Sequence, residues 1–149
     1  MKSGVYVHIP FCEQRCYYCA FTVAVSGEET YQPYVQRLIR EITLSEFVEP
    51  PETIFFGGGT PSIVDANSIA NIISVFPEGA VEISLEANPG TLTEAKLETY
   101  GCAGVNRINV GGVTLMLSFV LLLFIGLLAI LPQTYHAANE NPTRNLGSE

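Results

Sequence analysis

The chain is poor in positive charge. Its 149 residues carry seven Lys or Arg against fifteen Asp or Glu, a formal charge of −8. Non-specific nucleic-acid binding works by neutralising phosphates, so this balance excludes nucleic acid as a partner. The deficit is uneven: residues 1–112 hold thirteen acids and six bases, whereas residues 113–149 hold two acids and Arg144. An apolar leader is also lacking. Met1-Lys2-Ser3-Gly4 is followed by a short strand pattern, so no secretory signal is expected. Cysteine is scarce, with four in all, and three of them stand close together. Without a secretory signal, clustered cysteines read as metal ligands before disulfides. Cys102, remote from the rest, reads as a small buried hydrophobe near a helix end.

The cluster is Cys12-Glu13-Gln14-Arg15-Cys16-Tyr17-Tyr18-Cys19, directly after the strand-like Val5–Ile9 and Pro10. Three thiolates at this spacing can hold three irons of a four-iron cluster. The fourth iron is left open for another ligand, whereas a four-cysteine site is closed. A zinc site with His8 as fourth ligand is the rival reading. It leaves two other motifs without a role.

The first 110 residues alternate strand and helix. Val5–Ile9, Thr53–Phe56, Val81–Leu85 and Val105–Val110 read as strands. Glu28–Phe47 reads as a helix with an apolar stripe through Tyr31, Val35, Leu38 and Ile42, with Pro33 in its first turn and Pro50-Pro51 after it. Asp65 caps a second helix, and Thr91-Leu92-Thr93-Glu94 has capping-box spacing for a third, with Gly104 as its stop. Repeated βα units imply a parallel sheet whose sites lie at the carboxyl ends of the strands. The cysteine loop, Gly57-Gly58-Gly59-Thr60-Pro61 and Glu86 all fall on those ends. Glycines there let backbone groups approach a ligand, and Glu86 can pair with a ligand ammonium group.

Four ordered segments now carry a resemblance. They are Tyr6-Val7-His8-Ile9-Pro10-Phe11-Cys12 with Cys16 and Cys19, Phe55-Phe56-Gly57-Gly58-Gly59-Thr60-Pro61-Ser62, Glu86-Ala87-Asn88-Pro89-Gly90, and Gly104-Val105-Asn106-Arg107-Ile108. Residues 4–111 resemble the amino-terminal part of the radical S-adenosylmethionine (radical SAM) superfamily, within its oxygen-independent coproporphyrinogen III oxidase-like group. The resemblance implies an α/β fold, a truncated partial (βα) barrel of parallel strands. It implies a [4Fe-4S] cluster on Cys12, Cys16 and Cys19, and S-adenosylmethionine (SAM) chelated to the open iron and cleaved to methionine and a 5′-deoxyadenosyl radical. Tyr6, Tyr18, Gly58, Gly59, Thr60 and Glu86 would contact SAM. The group has an oxidase branch (HemN), which decarboxylates propionates of coproporphyrinogen III, and a branch of HemW-type haem chaperones. Phe21 stands where the oxidase carries a further cysteine, which favours the chaperone branch and makes haem or a porphyrinogen the expected partner. Such a protein is expected in the cytoplasm.

The resemblance breaks after residue 111. Val113 stands where a SAM-contacting glutamine is expected, and the remaining barrel units have no counterpart. The expected organisation is a partial radical SAM core at 1–111, an apolar segment at 112–132 and a polar, disordered tail at 133–149. Residues 113–131 contain no charged residue. As a helix they would reach about 28 Å at 1.5 Å per residue, near the ~30 Å of a bilayer core. One reading is therefore a membrane span, with the amino-terminal part in the cytoplasm. Its rival is a frameshift or gene-model error past residue 111, which would leave an inactive fragment.

Overall fold

In the computed structural model, the described residues are 3–17, 19–110 and 113–139, with side chains for 119–132 in the last stretch. Residues 1–111 and 112–149 form two separate units.

Four strands, β1 (Gly4–Ile9), β2 (Thr53–Gly58), β3 (Glu82–Ala87) and β4 (Arg107–Val110), pair in sequence order, and every pair is parallel. Parallel neighbours require a crossover between them. The crossovers are α1 (Tyr31–Leu44), α2 (Ala66–Ile73) and α3 (Glu94–Cys102). Alternation along the strands sends Val7, Ile9, Ile54, Phe56, Ile83, Leu85 and Ala87 into one core with Val35, Ile42, Ile69, Ile72 and Tyr100 from the helices. Tyr6, His8, Phe55 and Glu86 alternate with these core positions, so they lie on the other sheet face. The α/β class and the parallel partial barrel thus stand as expected.

Local chemistry sets the helix ends. The Asp65 carboxylate accepts the Asn67 amide at 3.1 Å and caps α2. The cap of α3 is Thr93, which accepts the Lys96 amide at 3.2 Å. This corrects the capping box expected from Thr91. The Thr91 hydroxyl instead donates to the Asn88 carbonyl at 2.9 Å, within a short 3-10 turn (Pro89–Thr91) that precedes the helix. Gly104, at φ 93°, takes the left-handed conformation expected just past α3. Cys102 is exposed, against the expectation of a buried residue, because it ends α3 on the side away from Tyr100.

The second unit contains α4 (Val113–Asn139), which runs through Pro132, where the sequence placed its end. Phe119, Leu121, Phe124, Ile125 and Leu128 on it are exposed. Among the described residues, no helix is long and apolar enough to cross a membrane.

Candidate functional site

The cysteine loop is closed at its base by backbone pairing. Cys12 N–H donates to the Ala24 carbonyl at 3.1 Å and Ala24 N–H to the Pro10 carbonyl at 2.7 Å, so Phe11 and Ala24 form a one-residue parallel bridge. Within the loop, Cys19 N–H donates to the Cys16 carbonyl at 3.1 Å, a turn that brings the second and third cysteines near each other. All three thiols are free and partly buried. Together they line a cavity of about 180 Å³ with Gly58, Gly59 and Thr60.

The glycine turn is docked on the entry to this loop. Gly59 N–H donates to the Ile9 carbonyl at 2.8 Å and Thr60 N–H to the Phe11 carbonyl at 2.7 Å. The Thr60 hydroxyl lies 3.7 Å from the Cys12 sulfur. Glycine is required twice here. Gly58 has φ 120°, a conformation that other residues rarely adopt. A methyl group on Gly59 would meet the Phe11 carbonyl oxygen, with the Pro10 carbonyl at 2.8 Å and the Cys12 sulfur at 2.9 Å.

Glu86 supports the turn from β3, where its carboxylate accepts the Gly58 amide at 3.3 Å. Tyr6 stacks on Phe55 at a centroid distance of 5.8 Å and is 55 % exposed. Desolvation and then the Glu86 charge raise its hydroxyl pKa above the ordinary value. Neither Tyr6 nor Glu86 lines the cysteine cavity; both lie beside the glycine turn, on the sheet face opposite the core. The structure therefore divides the expected set in two, and Tyr18 lies outside the described residues.

Two further wall residues, Asn88 and Thr91, were not placed at the cavity from the sequence. They belong to a closed ring of hydrogen bonds. Asn88 N–H donates to the Ser62 hydroxyl at 3.0 Å, that hydroxyl donates to Thr91 Oγ1 at 2.5 Å, and Thr91 donates to the Asn88 carbonyl at 2.9 Å. Ser62 is fully buried, and its carbonyl accepts the Lys96 ammonium at 2.7 Å. Burial lowers the Lys96 pKa, partly offset by Asp65 and Glu28. The signal was present in Glu86-Ala87-Asn88-Pro89-Gly90, but spacing alone could not show that its turn folds back onto Ser62.

The donor set suits an iron–sulfur cluster, which thiolates ligate. Three free thiols open on one cavity, and Gly59 keeps that cavity clear beside Cys12. Among the described residues, no three His, Cys, Asp or Glu side chains are grouped to hold one metal ion. Cluster thiolates bind separate irons and need not converge on one point. His8, the fourth ligand of the zinc reading, is engaged elsewhere, with Nε2 3.3 Å from the Thr22 carbonyl. A larger cavity of about 480 Å³ lies among the amino ends of α1, α2 and α3, between Tyr31, Asp65 and Lys96, and contains no cysteine.

Comparison with known proteins places the chain in a family. The chain is similar to "Heme chaperone HemW" of Synechocystis sp., with 37% identity over 125 residues, covering 74% of this chain and 30% of that protein. It is similar to "Heme chaperone HemW" of Escherichia coli, with 39% identity over 117 residues, covering 72% of this chain and 31% of the relative. Among solved structures, coproporphyrinogen III oxidase (HemN) of Escherichia coli, described as a radical SAM enzyme, superposes with a TM-score of 0.59. The match has 25% identity and covers 72% of this chain and 27% of the other. The chain thus spans about 30% of the length of the curated relatives it matches. The family description "Radical SAM superfamily" matches residues 6–115, and the chain belongs to that superfamily.

Proposed function

We propose that Cys12, Cys16 and Cys19 hold a [4Fe-4S] cluster and that the neighbouring glycine turn receives SAM. The observation that carries this reading is the single cavity shared by the three free thiols and Gly58-Gly59-Thr60. When bound, the cluster supplies the electron for reductive cleavage of SAM. The chain's own residues bind and orient. Gly59 and Thr60 offer a close backbone approach beside Cys12, Glu86 fixes the turn through the Gly58 amide, and Tyr6 and Glu86 present a ring and a carboxylate to the ligand's other end. Tyr18 is proposed as a further SAM contact from its place beside Cys19.

The role proposed for the full-length protein is that of a HemW-like haem chaperone. It is supported by the relatives named as such and by Phe21 at the position expected to be cysteine in the oxidase branch. The second reading, oxidative decarboxylation of coproporphyrinogen III, is favoured by the structural likeness to HemN. The two readings separate in one experiment. The full chain, reconstituted anaerobically with iron and sulfide, is titrated with haem and incubated with SAM, reductant and coproporphyrinogen III. The chaperone reading expects a saturable shift of the haem absorption band and no decarboxylated porphyrin. Decarboxylation without a haem shift overturns it.

A further inference from the structure

His8 faces away from the cavity and touches three parts of the site. On β1 it lies opposite Gly57 of β2. Its Nε2 is 3.3 Å from the carbonyl oxygen of Thr22, in the segment through which the cysteine loop returns to the Phe11–Ala24 bridge. A carbonyl only accepts, so Nε2 donates to it. The Tyr6 hydroxyl lies 3.5 Å from Nδ1. The ring edge also lies against the glycine turn: a methyl group on Gly58 would stand 2.6 Å from both Cε1 and Nδ1. The backbone of His8 is held from the helical layer, because the Tyr34 hydroxyl donates to its carbonyl at 2.7 Å.

We infer that His8 is a positioning residue, which ties the return of the cysteine loop to the glycine turn and thereby sets where the three thiols open. Its purpose rests on the cluster reading, whereas its structural effect does not. The loop from Cys12 to Thr22 has its own backbone closure at Cys12 and Ala24, one residue pair wide. Such a short closure opens easily unless a second tie lies beside it. His8 provides that tie two residues before Ala24. This explains why a histidine, and not an apolar residue, stands on the uncovered face of β1.

The test uses the full chain with His8→Leu and His8→Gln. Glutamine keeps an N–H donor on a side chain of similar reach; leucine has none. In the cluster-free protein, amide hydrogen exchange at Cys12 and Ala24 is expected to quicken about five- to tenfold in His8→Leu, the factor carried by one lost hydrogen bond. Exchange at Leu85, in the centre of the sheet, stays at the wild-type rate, and His8→Gln restores the slow rates. After anaerobic reconstitution, His8→Leu holds less than half the iron of the wild type, and His8→Gln holds most of it. Unchanged exchange in His8→Leu, a parallel rise at Leu85, or a failure of glutamine to rescue overturns the inference. If the wild type itself binds no iron, the cluster reading falls, and the exchange rates still decide whether His8 ties the loop.

Discussion

Gly59→Ala and Gly101→Ala are the same chemical change and are expected to move stability in opposite directions. At Gly59 the added methyl meets the Phe11 carbonyl oxygen, with the Pro10 carbonyl at 2.8 Å and the Cys12 sulfur at 2.9 Å. Two of these are backbone atoms and cannot rotate aside. Relief requires the glycine turn to lift from the cysteine loop, which weakens the Gly59–Ile9 and Thr60–Phe11 hydrogen bonds of 2.8 and 2.7 Å. Forced overpacking costs about 1–3 kcal/mol, and each weakened bond adds up to about 1 kcal/mol. A loss of about 2–4 kcal/mol is therefore expected. Gly101 lies in α3 with nothing within 4 Å of the added methyl, so alanine there should stabilise by about 0.5–1 kcal/mol through helix propensity. Urea denaturation of both variants beside the wild type measures the two shifts. If Gly59→Ala stays within about 0.5 kcal/mol of the wild type, the close docking of the glycine turn on the cysteine loop is wrong.

Tyr100 is 1 % exposed, and its hydroxyl has no hydrogen-bond partner among the described residues. Replacing it by phenylalanine removes an unpaired polar group, so Tyr100→Phe should stabilise by about 1 kcal/mol; a loss of that size would show a missed partner. Burial, followed by the Asp65 charge, raises the Tyr100 pKa to about 12 from an ordinary 10.0. A raised pKa means stability that is present below pH 10.0 and lost as pH rises towards 12, so the wild type should weaken over that window and Tyr100→Phe should weaken less. Glu82 shifts the other way: the Ser84 hydroxyl at 2.6 Å, then Arg107 at 3.4 Å, holds its carboxyl below the usual 4.5. Its contribution is present above pH 4.5 and fades as pH falls through the lowered value, so Glu82→Gln should flatten the acid limb of the stability curve; an unchanged limb refutes this.

The fold was legible wherever one periodicity dominated. Val5–Ile9 read as a strand and forms one, with Val7 and Ile9 in the core, and the helical stripe through Val35 and Ile42 is buried there. The ends of elements were less legible because competing caps stand side by side. Thr91 and Thr93 both precede α3, and only the fold of the turn commits Thr91 to Ser62 and leaves the cap to Thr93. The cysteines and glycines of the cavity could be read from spacing, since loop closure and positive φ leave strong local signatures. Glu86 could be placed at a strand end, but sequence did not show that it and Tyr6 sit beside the glycine turn and away from the cavity wall. Asn88 and Thr91 reach that wall through contacts 26 and 29 residues away in sequence, which no local pattern encodes. His8 entered the sequence reading as the fourth ligand of a rival zinc site; its bond to Thr22 came only with the fold of the loop.

The cysteine cavity is tested most directly by counting iron and acid-labile sulfide per chain after anaerobic reconstitution, in the wild type and in Cys16→Ala. The wild type is expected to hold about four irons and four sulfides and to change its cluster's electron paramagnetic resonance on adding SAM, and Cys16→Ala to lose most of the iron. A single tightly held metal ion in the wild type, or an iron count that Cys16→Ala leaves unchanged, would contradict it.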